Sequence, residues 1–76
     1  MILIALDIDG YVYTYNDSKK LILKTPGVLY NYNQKYVAIK RNSIELIIDI
    51  YSDAGNRICT YPYDLVDTDN IQGLIL

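Results

Sequence analysis

Apolar and polar residues alternate with period two along most of the chain, and turn-forming residues interrupt that alternation every eight residues or so. Successive side chains of an extended backbone point to opposite faces, so this pattern prescribes short, half-buried strands rather than helices. Ile2, Ile4, Leu6 and Ile8 fall on one face of a first strand, with Leu3, Ala5, Asp7 and Asp9 on the other. Asp9-Gly10 then separates two β-rich runs, and such a pair accepts the two positive φ angles of a type I′ hairpin turn. The return strand is Tyr11 to Tyr15.

The punctuation continues in the same manner. Asn16-Asp17-Ser18 carries three side chains that bond to nearby backbone and favour a turn before the strand centred on Leu21, Ile22 and Leu23. Thr25-Pro26-Gly27 predicts a type II turn, because proline presets the first central φ and glycine supplies the positive second one. Val28 to Tyr32 and Tyr36 to Lys40 read as strands, and Arg41-Asn42-Ser43 as another turn. Ile44 to Tyr51 has both a helix-capping serine before it and Gly55 after it, but four isoleucines in eight positions favour a strand. Asp53-Ala54-Gly55-Asn56 makes a hairpin loop, Arg57 to Tyr61 returns, and Pro62 ends that strand. Tyr63 to Asn70 reads as an acidic loop or a single helical turn, and Ile71 to Leu76 as a last apolar strand.

A chain of 76 residues has material for one core, so residues 1–76 are expected to form a single domain. The expected fold is all-β: a single small antiparallel sandwich, or a partly open SH3-like or OB-like barrel, of about seven or eight short strands. Cys59 is the sole cysteine and histidine is missing, which removes an intrachain disulfide and the Cys/His zinc sites that often staple domains of this size. Small unstapled domains gain buried area by self-association, so a homo-oligomer or a complex is expected. Met1 to Leu6 lacks the basic region and length of a signal peptide, and no apolar run reaches the ~20 residues that span a bilayer. A cytoplasmic protein without membrane attachment is expected.

The run Ile2-Leu3-Ile4-Ala5-Leu6-Asp7-Ile8-Asp9-Gly10 resembles the first motif of the haloacid dehalogenase-like phosphohydrolases, an apolar strand ending in Asp-x-Asp-Gly. The resemblance implies a nucleophilic Asp7, an acid/base Asp9 and a magnesium ion on an α/β core. Counted through Tyr11, which stands where that family carries threonine, it covers ten residues, and it lacks the alternation of strands and helices. We therefore take Asp9-Gly10 as a hairpin turn. Asp67-Thr68-Asp69 is similar to the opening of a calcium loop, but Ile71 stands at the fifth position and no glutamate closes it. Without histidine there is no Ser-His-Asp or Cys-His arrangement, and no glycine-rich phosphate cradle occurs. No enzymatic activity, cofactor or metal is expected.

Nine tyrosines stand beside no phenylalanine and no tryptophan. Tyrosine suits a surface where the ring packs and the hydroxyl reaches water or a partner, and interfaces are enriched in it. Tyr11, Tyr13 and Tyr15 alternate on one strand face and head the candidate binding residues, with Tyr36, Tyr51 and Tyr61. Charge is divided unevenly, net +3 through Arg41 and net −5 beyond it. Asp64, Asp67 and Asp69 are the candidate steering charges for a protein partner. The function expected is a small non-catalytic protein-binding module acting through a tyrosine-rich sheet face, such as a phage-type inhibitor or accessory protein, the AT-rich codon usage implied by its Ile, Tyr, Asn, Asp and Lys content being the association behind that class. Two alternatives stand beside it. A single-stranded nucleic-acid-binding barrel would use tyrosines interleaved with lysines, against a net charge of −2. A structural subunit would use the same surfaces to form a homo-oligomer.

Overall fold

A computed structural model describes residues 1–42, 44 and 47–62. Seven antiparallel strands form two sheets: β1 (Ile2–Ile8), β2 (Tyr11–Asn16) and β3 (Leu21–Pro26) in sheet A, and β4 (Val28–Tyr32), β5 (Tyr36–Lys40), β6 (Ile47–Ser52) and β7 (Arg57–Pro62) in sheet B. Within each sheet the strands lie in chain order, so every pairing is between sequence neighbours. The all-β expectation is met. The expected loop at Tyr63 to Asn70 and strand at Ile71 to Leu76, together with Asp64, Asp67 and Asp69, lie outside the described residues.

Local chemistry explains the hairpins. Asp9 and Gly10 have φ of 53° and 80°, the doubly positive geometry that a two-residue hairpin requires. The Asn16 Oδ1 accepts hydrogen bonds from the Ser18 and Lys20 amides at 3.0 and 2.9 Å, which closes the β2–β3 turn. Asn33 Oδ1 does the same for Lys35 and Tyr36 before β5, both at 2.8 Å. At the β6–β7 turn Gly55 adopts a φ of 83°.

Three expectations need correction. Thr25-Pro26-Gly27 does not form a type II turn: β3 runs through Pro26 in sheet A and β4 begins at Val28 in sheet B, so Gly27 carries the chain from one sheet to the other. Its φ of 142° is far from the roughly 80° of that turn, and a Cβ there would lie 2.7 Å from the Lys40 carbonyl oxygen and 2.8 Å from Ile39 Cγ2. The strand expected from Ile44 starts at Ile47, and Ile44 is an exposed turn residue. The uniform face Ile2-Ile4-Leu6-Ile8 is broken by a bulge between Ile2 and Ile4, which shifts the phase of β1. Ile2 and Ala5 are buried, whereas Ile4, Leu6 and Ile8 are exposed.

The main core lies between the sheets. Ile2, Ala5 and Val12 of sheet A meet Val37 and Ile39 of sheet B, and Ile22, Leu23, Leu29 and Tyr51 pack around them. A second cluster of Ala38, Ile48 and Ile50, with Tyr36, Cys59 and Tyr61 against it, occupies the opposite face of sheet B. Three consecutive residues of β5 and three of β6 are consequently buried, although a half-buried strand alternates. The edge strand β1 is tied to sheet B at both ends of a seam: the Ile2 amide donates to the carbonyl of Gln34 in the β4–β5 turn at 2.7 Å, and the Leu29 amide of β4 donates to Asp7 Oδ1 at 2.9 Å. Joined there without a continuous ladder, the two sheets make a sandwich that is partly closed on one side.

Candidate functional site: the outer face of sheet A

The two-residue turn at Asp9-Gly10 sets the register of β1 against β2, pairing Ile8 with Tyr11, Leu6 with Tyr13 and Ile4 with Tyr15. Directly paired residues share a face, so an aliphatic row and a tyrosine row run side by side. The other face of β2 presents Val12 and Thr14, both fully buried, which directs the paired rows away from the core. The outer face is correspondingly open, with Ile4 37%, Leu6 39%, Ile8 47% and Tyr11 40% exposed. Tyr13 and Tyr15 are half-buried by their neighbours.

The third strand completes this surface. Lys24 pairs with Tyr13 and Pro26 with Tyr11, while Leu21, exposed, pairs with Tyr15 across a bulge. The Lys24 ammonium stands 5.1 Å from the Tyr11 ring centroid and 5.5 Å from that of Tyr13. Both separations are within cation–π range, so the lysine covers the edge of the aromatic row while its charge stays at the rim.

The other candidate tyrosines are elsewhere. Tyr51 packs against the core between the sheets, whereas Tyr36 and Tyr61 border the second cluster on the far face of sheet B. Hydrogen bonding and charge from Cys59, with a smaller effect of burial, hold the Tyr61 phenol above its ordinary pKa. The structure thus brings Tyr11, Tyr13 and Tyr15 together and separates Tyr36, Tyr51 and Tyr61 from them. What residue-type reasoning missed is the aliphatic half of the face: Ile4, Leu6 and Ile8 look like core, yet counting outward from the Asp9-Gly10 turn pairs each with a tyrosine.

A polar cluster lies on the face of sheet B that carries Ile39. Asp49 pairs with Ile39 on one side and Thr60 on the other, and is buried. Arg41 grips its carboxylate with two hydrogen bonds, Nε to Oδ2 at 3.0 Å and Nη2 to Oδ1 at 2.8 Å. The Thr60 hydroxyl adds a third at 2.7 Å, and Arg57 Nη1 stands 4.0 Å away. Burial alone raises the Asp49 pKa, but the hydrogen bonds from Arg41 and Thr60 and the charges of Arg41 and Arg57 outweigh it and leave the carboxyl below its ordinary value. With its acceptors engaged by structural donors, this carboxylate serves as a brace between β5, β6 and β7.

Asp7 and Asp9, the pair resembling a phosphohydrolase motif, also have structural duties. Asp7 holds the Leu29 amide across the seam, and Asp9 occupies the hairpin turn with positive φ. Among the described residues no cluster of His, Cys, Asp or Glu could hold a metal ion, and no helix is long and apolar enough to cross a membrane. Comparison with protein-family models, with curated proteins and with solved structures returns no match.

Proposed function

We propose that the protein is a small non-catalytic protein-binding module whose contact surface is the outer face of sheet A. The observation that carries this reading is the pairing of Ile4, Leu6 and Ile8 with Tyr15, Tyr13 and Tyr11 on a face turned away from the core. Rings beside branched aliphatics offer a large contact area at small entropic cost, since a tyrosine has only two side-chain torsions to immobilise. A sheet holds them in fixed rows, so little ordering remains to be done on binding.

A second reading, binding of single-stranded nucleic acid, draws on Lys24 over the rings of Tyr11 and Tyr13. Alternate residues on a strand are about 7 Å apart, a spacing that suits successive stacked bases. The aliphatic row and the net charge of −2 favour protein instead.

The test is capture by immobilised protein, comparing the wild type with Tyr11→Ser/Tyr13→Ser/Tyr15→Ser. A protein retained by the wild type and lost by the variant, at unchanged circular dichroism, supports the reading; equal retention by both overturns it. A single-stranded oligonucleotide retarded by the wild type at low salt, with retardation falling steeply as salt rises, would transfer the face to the second reading.

A further inference from the structure

We infer that the outer face of sheet A is covered in solution by a second copy of this chain, packed face to face about a twofold axis running along β2. The inference rests on reading that face as a protein-contact surface, and it names the partner.

Area is the first argument. The residues of the aliphatic and tyrosine rows, with Leu21, leave on the order of 500–700 Å² of mostly apolar surface in water, near the ~800 Å² per partner of a standard-size interface. A patch of that size reaches or exceeds the upper end of the roughly 300–600 Å² that the largest apolar patch of a typical monomer covers, and this chain is only 8.7 kDa. A domain with no disulfide or zinc staple gains from such a partner the buried area that its own core does not supply.

Charge placement selects the axis. One row across sheet A reads Leu6, Tyr13, Lys24, from β1 through β2 to β3. A twofold lying across the strands would set β3 over β3 and bring the two Lys24 ammonium groups together, which is unfavourable in a partly desolvated contact. A twofold along β2 instead lays β1 of each copy over β3 of the other. Tyr13 then faces its own mate near the axis, and Lys24 overhangs Leu6 of the second copy. At that rim the aliphatic stem of the lysine covers the leucine and its ammonium reaches water. The interface is isologous and closes at two copies.

Sedimentation velocity on the wild-type chain, from about 1 µM to about 500 µM, reads the equilibrium directly, and the expected result is a concentration-dependent shift from one to two chains. Leu6 is 39% exposed and outside both core clusters, so charge at this position is compatible with the fold. Leu6→Lys places an ammonium against Lys24 of the second copy and is expected to raise the dimer dissociation constant by at least about a hundredfold. Leu6→Glu places a carboxylate there and is expected to raise it by about tenfold or less. Equal weakening by the two variants overturns the axis, and an undiminished dimer in both places the contact elsewhere and overturns the inference. A chain that stays single throughout the wild-type series overturns it without reference to any variant. In that last case the capture experiment with the tyrosine variant still decides whether the face binds a different protein, so the two readings fail separately.

Discussion

Arg41 holds Asp49 through both carboxylate oxygens, eight residues away in sequence and across the β5–β6 connection. The bidentate grip turns a buried charge into a cross-link between neighbouring strands, with Thr60 satisfying a further lone pair. Because the folded pKa of Asp49 is depressed, its contribution to stability is fully present above the unfolded value near 4 and is lost as pH falls through the lower folded value. Thermal unfolding measured from pH 7 down to pH 2 should therefore show a loss below pH ~4 that is smaller in Asp49→Asn. Removal of the arginine in Arg41→Met leaves the carboxylate under-compensated and should cost about 3 kcal/mol at neutral pH. A wild-type acid profile superimposable on that of Asp49→Asn would show that the pair contributes nothing.

Thr14 is fully buried between Ala5 and Leu23, and among the described residues its hydroxyl oxygen has no hydrogen-bond partner. Valine has nearly the same shape without the desolvated oxygen. Thr14→Val should raise stability by about 1 kcal/mol, or roughly 4–8 °C in Tm for a domain of this size. A lower melting temperature in a calorimetric scan would reveal a polar contact that this hydroxyl makes in solution.

Gly27 and Gly10 both have positive φ, but only Gly27 is hemmed in, with the Lys40 carbonyl 2.7 Å and Ile39 Cγ2 2.8 Å from an added Cβ. Gly10 has nothing within 4 Å. Backbone strain alone costs about 1 kcal/mol, so Gly10→Ala should lose about that much and Gly27→Ala at least about 3 kcal/mol. Urea titration of the two variants orders them, and equal losses would mean that the sheets part easily at the crossover.

Asp7 substitutes a side-chain acceptor for a main-chain carbonyl at one end of the seam. In Asp7→Ala the Leu29 amide should exchange with deuterium about tenfold faster than in wild type, in line with loss of a hydrogen bond worth about 1.4 kcal/mol, while Asp7→Asn keeps most of the protection. Unchanged exchange in Asp7→Ala would mean that the seam is held by other contacts.

Much of the fold was legible because hairpins are local. Asp9-Gly10 announces a doubly positive turn, the Asn16 and Asn33 side chains close turns over two to four residues, and Gly55 marks the β6–β7 hairpin. The tyrosine half of the candidate surface was legible for the same reason, since Tyr11, Tyr13 and Tyr15 need only an extended backbone to share a face. The aliphatic half was not, because Ile4, Leu6 and Ile8 carry the same hydrophobicity as core residues, and a bulge moved Ile2 out of phase with them. The Asp49 brace was hidden too: its partners at positions 41 and 60 meet it only once β5, β6 and β7 are in register.

By itself the sequence determined that the backbone is extended, that it reverses at Asp9-Gly10, Asn16 and Gly55, and that Tyr11, Tyr13 and Tyr15 lie on a common face, since these depend on φ preferences and side-chain alternation over a few residues. Tertiary structure alone decided that the chain leaves sheet A at Gly27, that Val37 and Ile39 cover the Ala5 and Val12 face of sheet A, and that the Leu6 and Tyr13 face is left to solvent. The physical reason is that either face of the β1–β2 hairpin is apolar enough to be buried. The choice between them is made by which one a second sheet, distant along the chain, packs against.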